Sequence, residues 1–154
     1  MIRPARADDV PALADLARRT WLDAFGASVS PENAIAEAEE GRSEERFRAA
    51  LDKQTILVAE ENGALVGYVE FDDRELHRLY VETAVQGRGI GRALLQVALA
   101  HPRLAIAERV VLQVWDENVR AVRLYESVGF RRAGTTTFTI GDEVVEDAVF
   151  ELER

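Results

Sequence analysis

From Gln86 to Arg92 the chain reads Gln-Gly-Arg-Gly-Ile-Gly-Arg, and glycines at that spacing suit one kind of chemistry, holding an anion with backbone N–H groups. Glycine lets the backbone approach a ligand closely and reach positive φ. A helix that starts just after them adds unpaired amides and the positive end of its dipole. Arg88 and Arg92 bring two full charges to the same place. The expected ligand therefore bears phosphate. Two familiar phosphate loops do not fit. The P-loop requires Gly-Lys-Ser/Thr, and this loop has no lysine. The dinucleotide fingerprint requires a third glycine where Arg92 stands and an acidic residue about 20 positions further on. The stretch from Val110 to Val114 offers none. The bland alternative is an ordinary strand–helix turn with glycines for tightness.

Such a loop needs a strand before it and a helix after it. Glu75-Leu76-His77-Arg78-Leu79-Tyr80-Val81 alternates as a strand does, placing Glu75, His77, Leu79 and Val81 on one face and Leu76, Arg78 and Tyr80 on the other. Arg92 to Ala100 is an apolar helix that Pro102 should stop. Upstream, Thr55–Glu60 and Leu65–Phe71 flank Asn62-Gly63, the strongest hairpin signal in the chain. With the strand after Asp72-Asp73-Arg74 they make one antiparallel meander.

Ahead of the meander, Ile2 to Ala5 reads as a short strand. A helix capped at Asp8 or Asp9 then runs to Phe25, with Trp21 and Phe25 as core or pocket wall. Ser30-Pro31-Glu32 and Ser43-Glu44-Glu45 start two weakly apolar helices separated by Gly41. Their expected role is a solvated surface hairpin, with a substrate lid as the alternative. Downstream, the apolar run Val110–Val114 suggests a buried central strand. Asp116 can cap a helix that Gly129 ends, and Phe130–Ile140 with Val144–Glu151 form a closing hairpin. With the helical hairpin counted once, the order is β-α-α-β-β-β-α-β-α-β-β. The fold class is α/β, a mixed sheet with helices on both faces, neither Rossmann nor barrel.

Composition narrows the function. One domain over residues 1–154 with 47% hydrophobic content can bury a proper core. No apolar run is long enough for a bilayer, and Met1-Ile2-Arg3-Pro4-Ala5-Arg6 lacks a signal peptide's apolar stretch, so a cytoplasmic location without membrane partners is expected. The chain has no cysteine, which removes disulfides, thiolate metal sites and a thiol nucleophile. Two histidines, His77 and His101, suggest no metal site. A net charge of −9 disfavours nucleic acid.

The loop, of pattern Gln/Arg-x-x-Gly-x-Gly/Ala, resembles the pyrophosphate loop of the GCN5-related N-acetyltransferase (GNAT) family. The segment Leu112 to Phe130 is similar to that family's second motif, with Asn118 near a helix start, then Ala121, Tyr125 and Gly129-Phe130. Both occur in the family's order, and the likeness extends to Ile2-Arg3-Pro4-Ala5 and Val66-Gly67-Tyr68. The resemblance implies the acyl-CoA N-acyltransferase fold, with a central, mostly antiparallel mixed sheet, and acetyl-CoA as co-substrate with no metal. It implies that Gln86, Gly87, Arg88, Gly89, Ile90, Gly91 and Arg92 hold the pyrophosphate. Leu79, Tyr80 and Val81 would hydrogen-bond pantetheine through backbone at a splayed strand, and Asn118 would bind it by side chain. Tyr125 would protonate the departing sulfur; without the resemblance it reads as a half-buried core aromatic. His77 stands where several relatives carry a Glu or His base, with Glu75 two residues away to assist. Histidine titrates near neutral pH, which suits a base.

Within the family the chain resembles bacterial spermidine/spermine-type enzymes at Thr20–Phe25, Ser30–Asn33, Val114–Asn118 and Phe138–Glu143. That implies a small-molecule amine, a polyamine in the sharpest form, with Glu70, Asp72, Asp73 and Glu82 as cation contacts. His77 departs from that subgroup, where an acidic residue is expected. A protein N-terminus, an antibiotic amine, or a non-catalytic coenzyme A sensor stay open as alternatives. Dimers are common in the family, so a homodimer is among the partners to test.

Overall fold

The computed structural model describes residues Met1–Arg154. The elements run β1 (Ile2–Pro4), α1 (Val10–Phe25), α2 (Pro31–Gly41), α3 (Glu44–Lys53), β2 (Thr55–Glu61), β3 (Ala64–Phe71), β4 (Glu75–Val81), α4 (Ile90–Ala100), α5 (Pro102–Ala105), β5 (Arg109–Val114), α6 (Val119–Val128), β6 (Arg131–Ile140) and β7 (Glu143–Glu153). All seven strands share one sheet in the order β1-β2-β3-β4-β5-β7-β6. Only β4 and β5 pair in parallel; the other neighbours are antiparallel. No helix is long and apolar enough to cross a membrane.

Local chemistry explains most boundaries. Ser30 and Ser43 accept hydrogen bonds from the amides of Asn33 and Arg46, opening α2 and α3 as their serines predicted. Asn62 and Gly63 adopt left-handed φ in the turn between β2 and β3. Two expected caps are corrected. Asp9 makes no cap bond to α1 because its carboxylate is held by Arg3 at 2.8 Å and by the amide of Arg6. Asp116 ion-pairs with Arg132 instead, and Asn118 caps α6 two residues later. The run Val110–Val114 is not buried on both faces. Val110, Leu112 and Val114 point into the core while Gln113 is exposed, so β5 alternates.

The sheet has a core on each face. On one face Leu94, Leu95, Ala98 and Leu99 of α4 pack on Leu57, Val69, Phe71, Leu112 and Phe150. On the other, Leu13, Leu16 and Ala17 of α1 and Phe47 of α3 pack on Ile56, Val58 and Tyr68. Residues such as Leu94 are fully buried, so truncation to alanine there should cost about 2–5 kcal/mol.

Two irregularities matter for function. The ladder between β4 and β5 covers only Glu75–Val111 and Leu76–Leu112, and beyond it the strands diverge. The β3–β4 register also slips, since Glu70 faces Arg78 but Phe71 faces Leu76, leaving His77 as the extra residue of a bulge. The bulge overturns the simple alternation expected of β4. Leu76 shares the α4-side core with Leu79 and Val81, whereas Tyr80 packs on the α1 side.

Candidate active site

The divergence of β4 and β5 opens the sheet, and two cavities meet in the gap. The larger, about 490 Å³, follows the end of β4 and the glycine loop to the start of α6. The smaller, about 380 Å³, lies among the ends of α1 and α2, the bulged part of β4, and β5, β6 and β7. Leu79, Tyr80, Asn118, Ala121 and Tyr125 line both, so they form the passage between the two.

The larger cavity gathers most of the loop. Gln86, Gly87, Gly89, Ile90, Gly91 and Arg92 line it. Gly87 at φ 89° and Gly89 at φ 81° sit in the left-handed region, the physical reason for glycine at both. Gly89 opens α4, and no side chain caps the helix. The first amides of α4 thus lack the partner a capping oxygen would supply, which leaves a place for an anion. The Gln86 side chain donates to the Val81 carbonyl at 3.1 Å and braces the loop against β4. Arg92 reaches the Ser127 hydroxyl at 2.7 Å. Arg88 does not line the cavity; its guanidinium lies 3.6 Å from Glu61. The expected pair, Arg88 and Arg92, is therefore corrected: the arginines that line the cavity are Arg92 and Arg120, the latter from the first turn of α6. Arg120 follows Asn118 by two positions, a signal the sequence held and the reading passed over.

At the passage, Asn118 accepts a 3.4 Å hydrogen bond from the Ala121 amide, so it starts α6 and faces both cavities at once. Tyr125 is 6% exposed and stacks edge-on to Phe130. Burial, with Tyr80 adding to it, pushes its phenol well above the ordinary tyrosine value, so it keeps its proton at neutral pH.

Glu75 and His77 line the smaller cavity, and the bulge brings Asp72 against them from outside its wall. His77 Nε2 lies 2.8 Å from Asp72, and Nδ1 lies 2.8 Å from Glu75. Asp72 and Glu75 thus flank the ring at its two nitrogens, the Asp72 contact being a hydrogen bond. Burial opposes ionisation of Asp72, but the amides of Arg74 and Glu75 and the ring of His77 together hold its carboxyl below the usual range. Ligand atoms of these three residues fall within 4.8 Å of one another, a grouping that the sequence reading did not foresee.

The remaining lining was largely unforeseen. Of the four acidic residues expected to meet a cation, none lines this cavity. Glu70 is buried, Asp72 is bound to His77, Asp73 is exposed, and Glu82 pairs with Arg19 at 2.5 Å. The carboxylates that do line it are Glu37, Glu75 and Asp147. Burial, with Asp116 nearby, pushes the Asp147 carboxyl up to about 6. Arg42 and Arg78 also line it, as do Trp21, Phe25 and Trp115. The two early helices are therefore more than a solvated hairpin, since the end of α2 delivers Glu37 and Arg42 to the cavity. The start of α2 is tied to the β6–β7 hairpin: Asn33 Nδ2 donates to Asp142 at 2.8 Å and Glu143 at 2.6 Å.

Comparisons with known proteins bear on the family and the fold. The acetyltransferase (GNAT) family model matches residues 11–130. An uncharacterized N-acetyltransferase of Mycobacterium tuberculosis is 36% identical over 94% of this chain and 97% of its own. The PaiA N-acetyltransferase of Thermoplasma acidophilum, solved in complex with coenzyme A, superposes with a TM-score of 0.84 at 22% identity, covering 100% of this chain and 98% of that one. A GCN5-related N-acetyltransferase of Rhodopseudomonas palustris gives 0.86 at 21%, covering 100% and 95%. With the family model across most of its length and a relative of such identity over nearly all of both chains, this chain belongs to the acetyltransferase (GNAT) family and is an N-acetyltransferase.

Proposed function

We propose that the chain moves the acetyl group of acetyl-CoA to a primary amine of a small molecule by direct attack on the thioester. The observation that carries this reading is the meeting of the two cavities at Tyr125 and Asn118. One cavity ends on an uncapped, glycine-opened helix, and the other holds titratable groups and an open entrance for an acceptor.

The residues fit the diphosphate and the pantetheine of coenzyme A. The amides at the start of α4 with Arg92 and Arg120 would hold the diphosphate. The edge of β4 at Leu79–Val81, left without a partner strand, offers backbone groups to the pantetheine, and Asn118 adds a side-chain amide. The thioester supplies an activated acetyl carbon. An alkyl amine is mostly protonated at neutral pH, so one proton must leave before attack. Glu75 and His77, joined at 2.8 Å, are the pair that takes it. Because His77 is held on both sides by carboxylates, Glu75 is the member with room to accept, and His77 positions it. The new C–N bond forms as the C–S bond breaks. Tyr125 gives its proton to the departing sulfur, and the second proton lost from nitrogen returns to the Tyr125 phenolate.

The spermidine/spermine-type resemblance favours a polyamine, while Arg42 and Arg78 in the acceptor cavity weigh against one. Thiol release from acetyl-CoA across a panel of amines, with spermidine included, tests the reading. Saturable turnover on at least one amine is expected. Saturable coenzyme A binding without thiol release on any amine would replace the enzyme with a sensor.

A further inference from the structure

Two arginines line the acceptor cavity, Arg42 from the turn between α2 and α3 and Arg78 from β4. An acceptor carrying nothing but positive charge gains little from such a wall. Arg42 is held for another purpose. Its side chain is only 9% exposed, and its guanidinium lies over the Trp21 ring at 4.8 Å. Stacking fixes the plane of the guanidinium and leaves its edge of N–H donors available. One edge nitrogen reaches Glu37 at 3.3 Å, but Nε is buried with no acceptor. The turn that carries it is pinned, because Arg18 donates to the Arg42 carbonyl at 3.2 Å and Arg78 to the Gly41 carbonyl at 3.3 Å. A buried donor without a partner costs about 1–3 kcal/mol, more when charged. A ligand that brings an acceptor to this edge removes that cost.

The opposite sign is present in the same cavity. Burial and the nearby Asp116 carboxylate raise the Asp147 carboxyl, and none of the chain's ion pairs involves it; Asp116 itself pairs with Arg132. Arg42, Arg78, Asp147 and Tyr80 line one cavity, and the Tyr80 hydroxyl feels all three charges. Burial raises it, Arg42 and Arg78 pull it back, and Asp147 raises it again. Positive and negative side chains thus stand around one phenol, walled by Phe25, which packs edge-on to Tyr80 at 6.2 Å and against Trp115 at 5.7 Å.

We propose that the acceptor is an amine that also carries an anionic group, with the anion seated on Arg42 and Arg78 and the nitrogen held by Asp147. This rests on the acetyl-transfer reading, and it narrows the substrate from amines at large to amino acids or amino phosphates. Hydrogen bonds between a guanidinium fork and an oxyanion are charge-assisted and two-pronged, which gives both affinity and orientation. Orientation matters here, because the nitrogen must arrive at the passage beside Tyr125.

Calorimetry on the coenzyme A-loaded protein, with ligand pairs that differ only in the anion, tests the proposal. The pairs are L-phenylalanine against phenethylamine, L-methionine against 3-(methylthio)propylamine, and phosphoethanolamine against ethanolamine, with spermidine alongside. The anionic member of at least one pair should bind about tenfold or more tightly than its partner, as hydrogen bonds to charged groups imply. The carboxylate and phosphate pairs separate the two sources of the anion. Arg42→Gln should bring the favoured member down to its partner's affinity. Arg42→Lys, which keeps the charge and loses the fork, should fall between, and Arg78→Gln repeats the test should the Arg42 variants fold poorly. Equal or weaker binding of the anionic member in every pair, no binding by any pair, or an advantage that survives both Arg42→Gln and Arg78→Gln overturns the proposal. Thiol release on the same pairs separates this from the broader reading. Binding that prefers the anion without thiol release refutes acetyl transfer and leaves the proposal standing. Thiol release that ignores the anion keeps acetyl transfer and refutes the proposal.

Discussion

The larger cavity takes most of its wall from one continuous run, Leu79 to Arg92, and the start of α6, whereas the acceptor cavity takes residues from α1, α2 and its following turn, β4, β5, α6, β6 and β7. The first is built mainly from backbone: two left-handed glycines, uncapped helix amides and a strand edge without a neighbour. The second is built from side chains brought together by tertiary contacts. A backbone site serves a ligand whose shape does not vary, and a side-chain site can be changed residue by residue. The division suits a common acetyl donor on one side and a selective acceptor on the other.

If that division is right, damage on the two sides should be separable, and the passage between them should show the largest effect. Tyr125→Phe keeps the packing against Phe130 and removes only the hydroxyl. Turnover should fall about 100-fold or more, the usual scale for general acid catalysis, with coenzyme A affinity nearly unchanged. Stopped-flow thiol release and a binding titration check the two halves, and unchanged turnover would remove Tyr125 as the proton donor.

On the acceptor side, His77→Ala frees Glu75 from its partner. About tenfold slower turnover and an altered acid limb of the pH–rate profile are expected, again without loss of coenzyme A binding. A profile identical to wild type would exclude the pair as base.

On the donor side, Gly89→Ala leaves the space open, since no atom lies within 4 Å of the added carbon, but forces a side chain into φ 81°. The penalty is about 1–2 kcal/mol. It should appear as roughly tenfold weaker coenzyme A binding with the acceptor preference intact. A shift in acceptor preference would show that the two sites are not separable.

The smallest effect belongs to Asp147. Its carboxyl is raised from the ordinary value to about 6 by burial and by Asp116. A raised carboxyl favours the folded state while protonated. Stability should therefore decline as pH climbs from about 4 to about 6, the interval between its unfolded and folded values. The residue is only partly buried, so the loss is no more than about 1 kcal/mol after screening. Asp147→Asn should flatten that part of the stability curve in urea melts at successive pH values. A curve of unchanged slope would show that the carboxyl titrates normally.

The sequence made the wall of the larger cavity legible because its determinants are local. Glycine spacing, the strand before it, and the helix after it lie within one stretch of chain. Asn118 and Tyr125 were legible only beside the second motif, since each alone has an ordinary structural explanation. On the side of the smaller cavity Trp21, Phe25, Glu75 and His77 were legible, but the rest was not, for three reasons. Arg42 sat in a segment poor in large apolar residues that read as surface, and only the packing of α2 turns it inward. Asp147 lies in a hairpin strand where alternation gives no hint of which carboxylate will be buried. The bulge at His77 shifted the faces of β4, and no residue type near it announces a bulge.

By itself the sequence determined the element order, the meander, the glycine-rich loop between strand and helix and the family kinship, all of which depend on neighbours along the chain. Tertiary structure decided the rest: that β7 inserts between β5 and β6, that β4 and β5 part after two residue pairs, and that Arg42, Arg78 and Asp147 gather around Tyr80. Those outcomes depend on contacts between residues distant in sequence. Their free energies come from packing and charge pairing that no local pattern of residue types records.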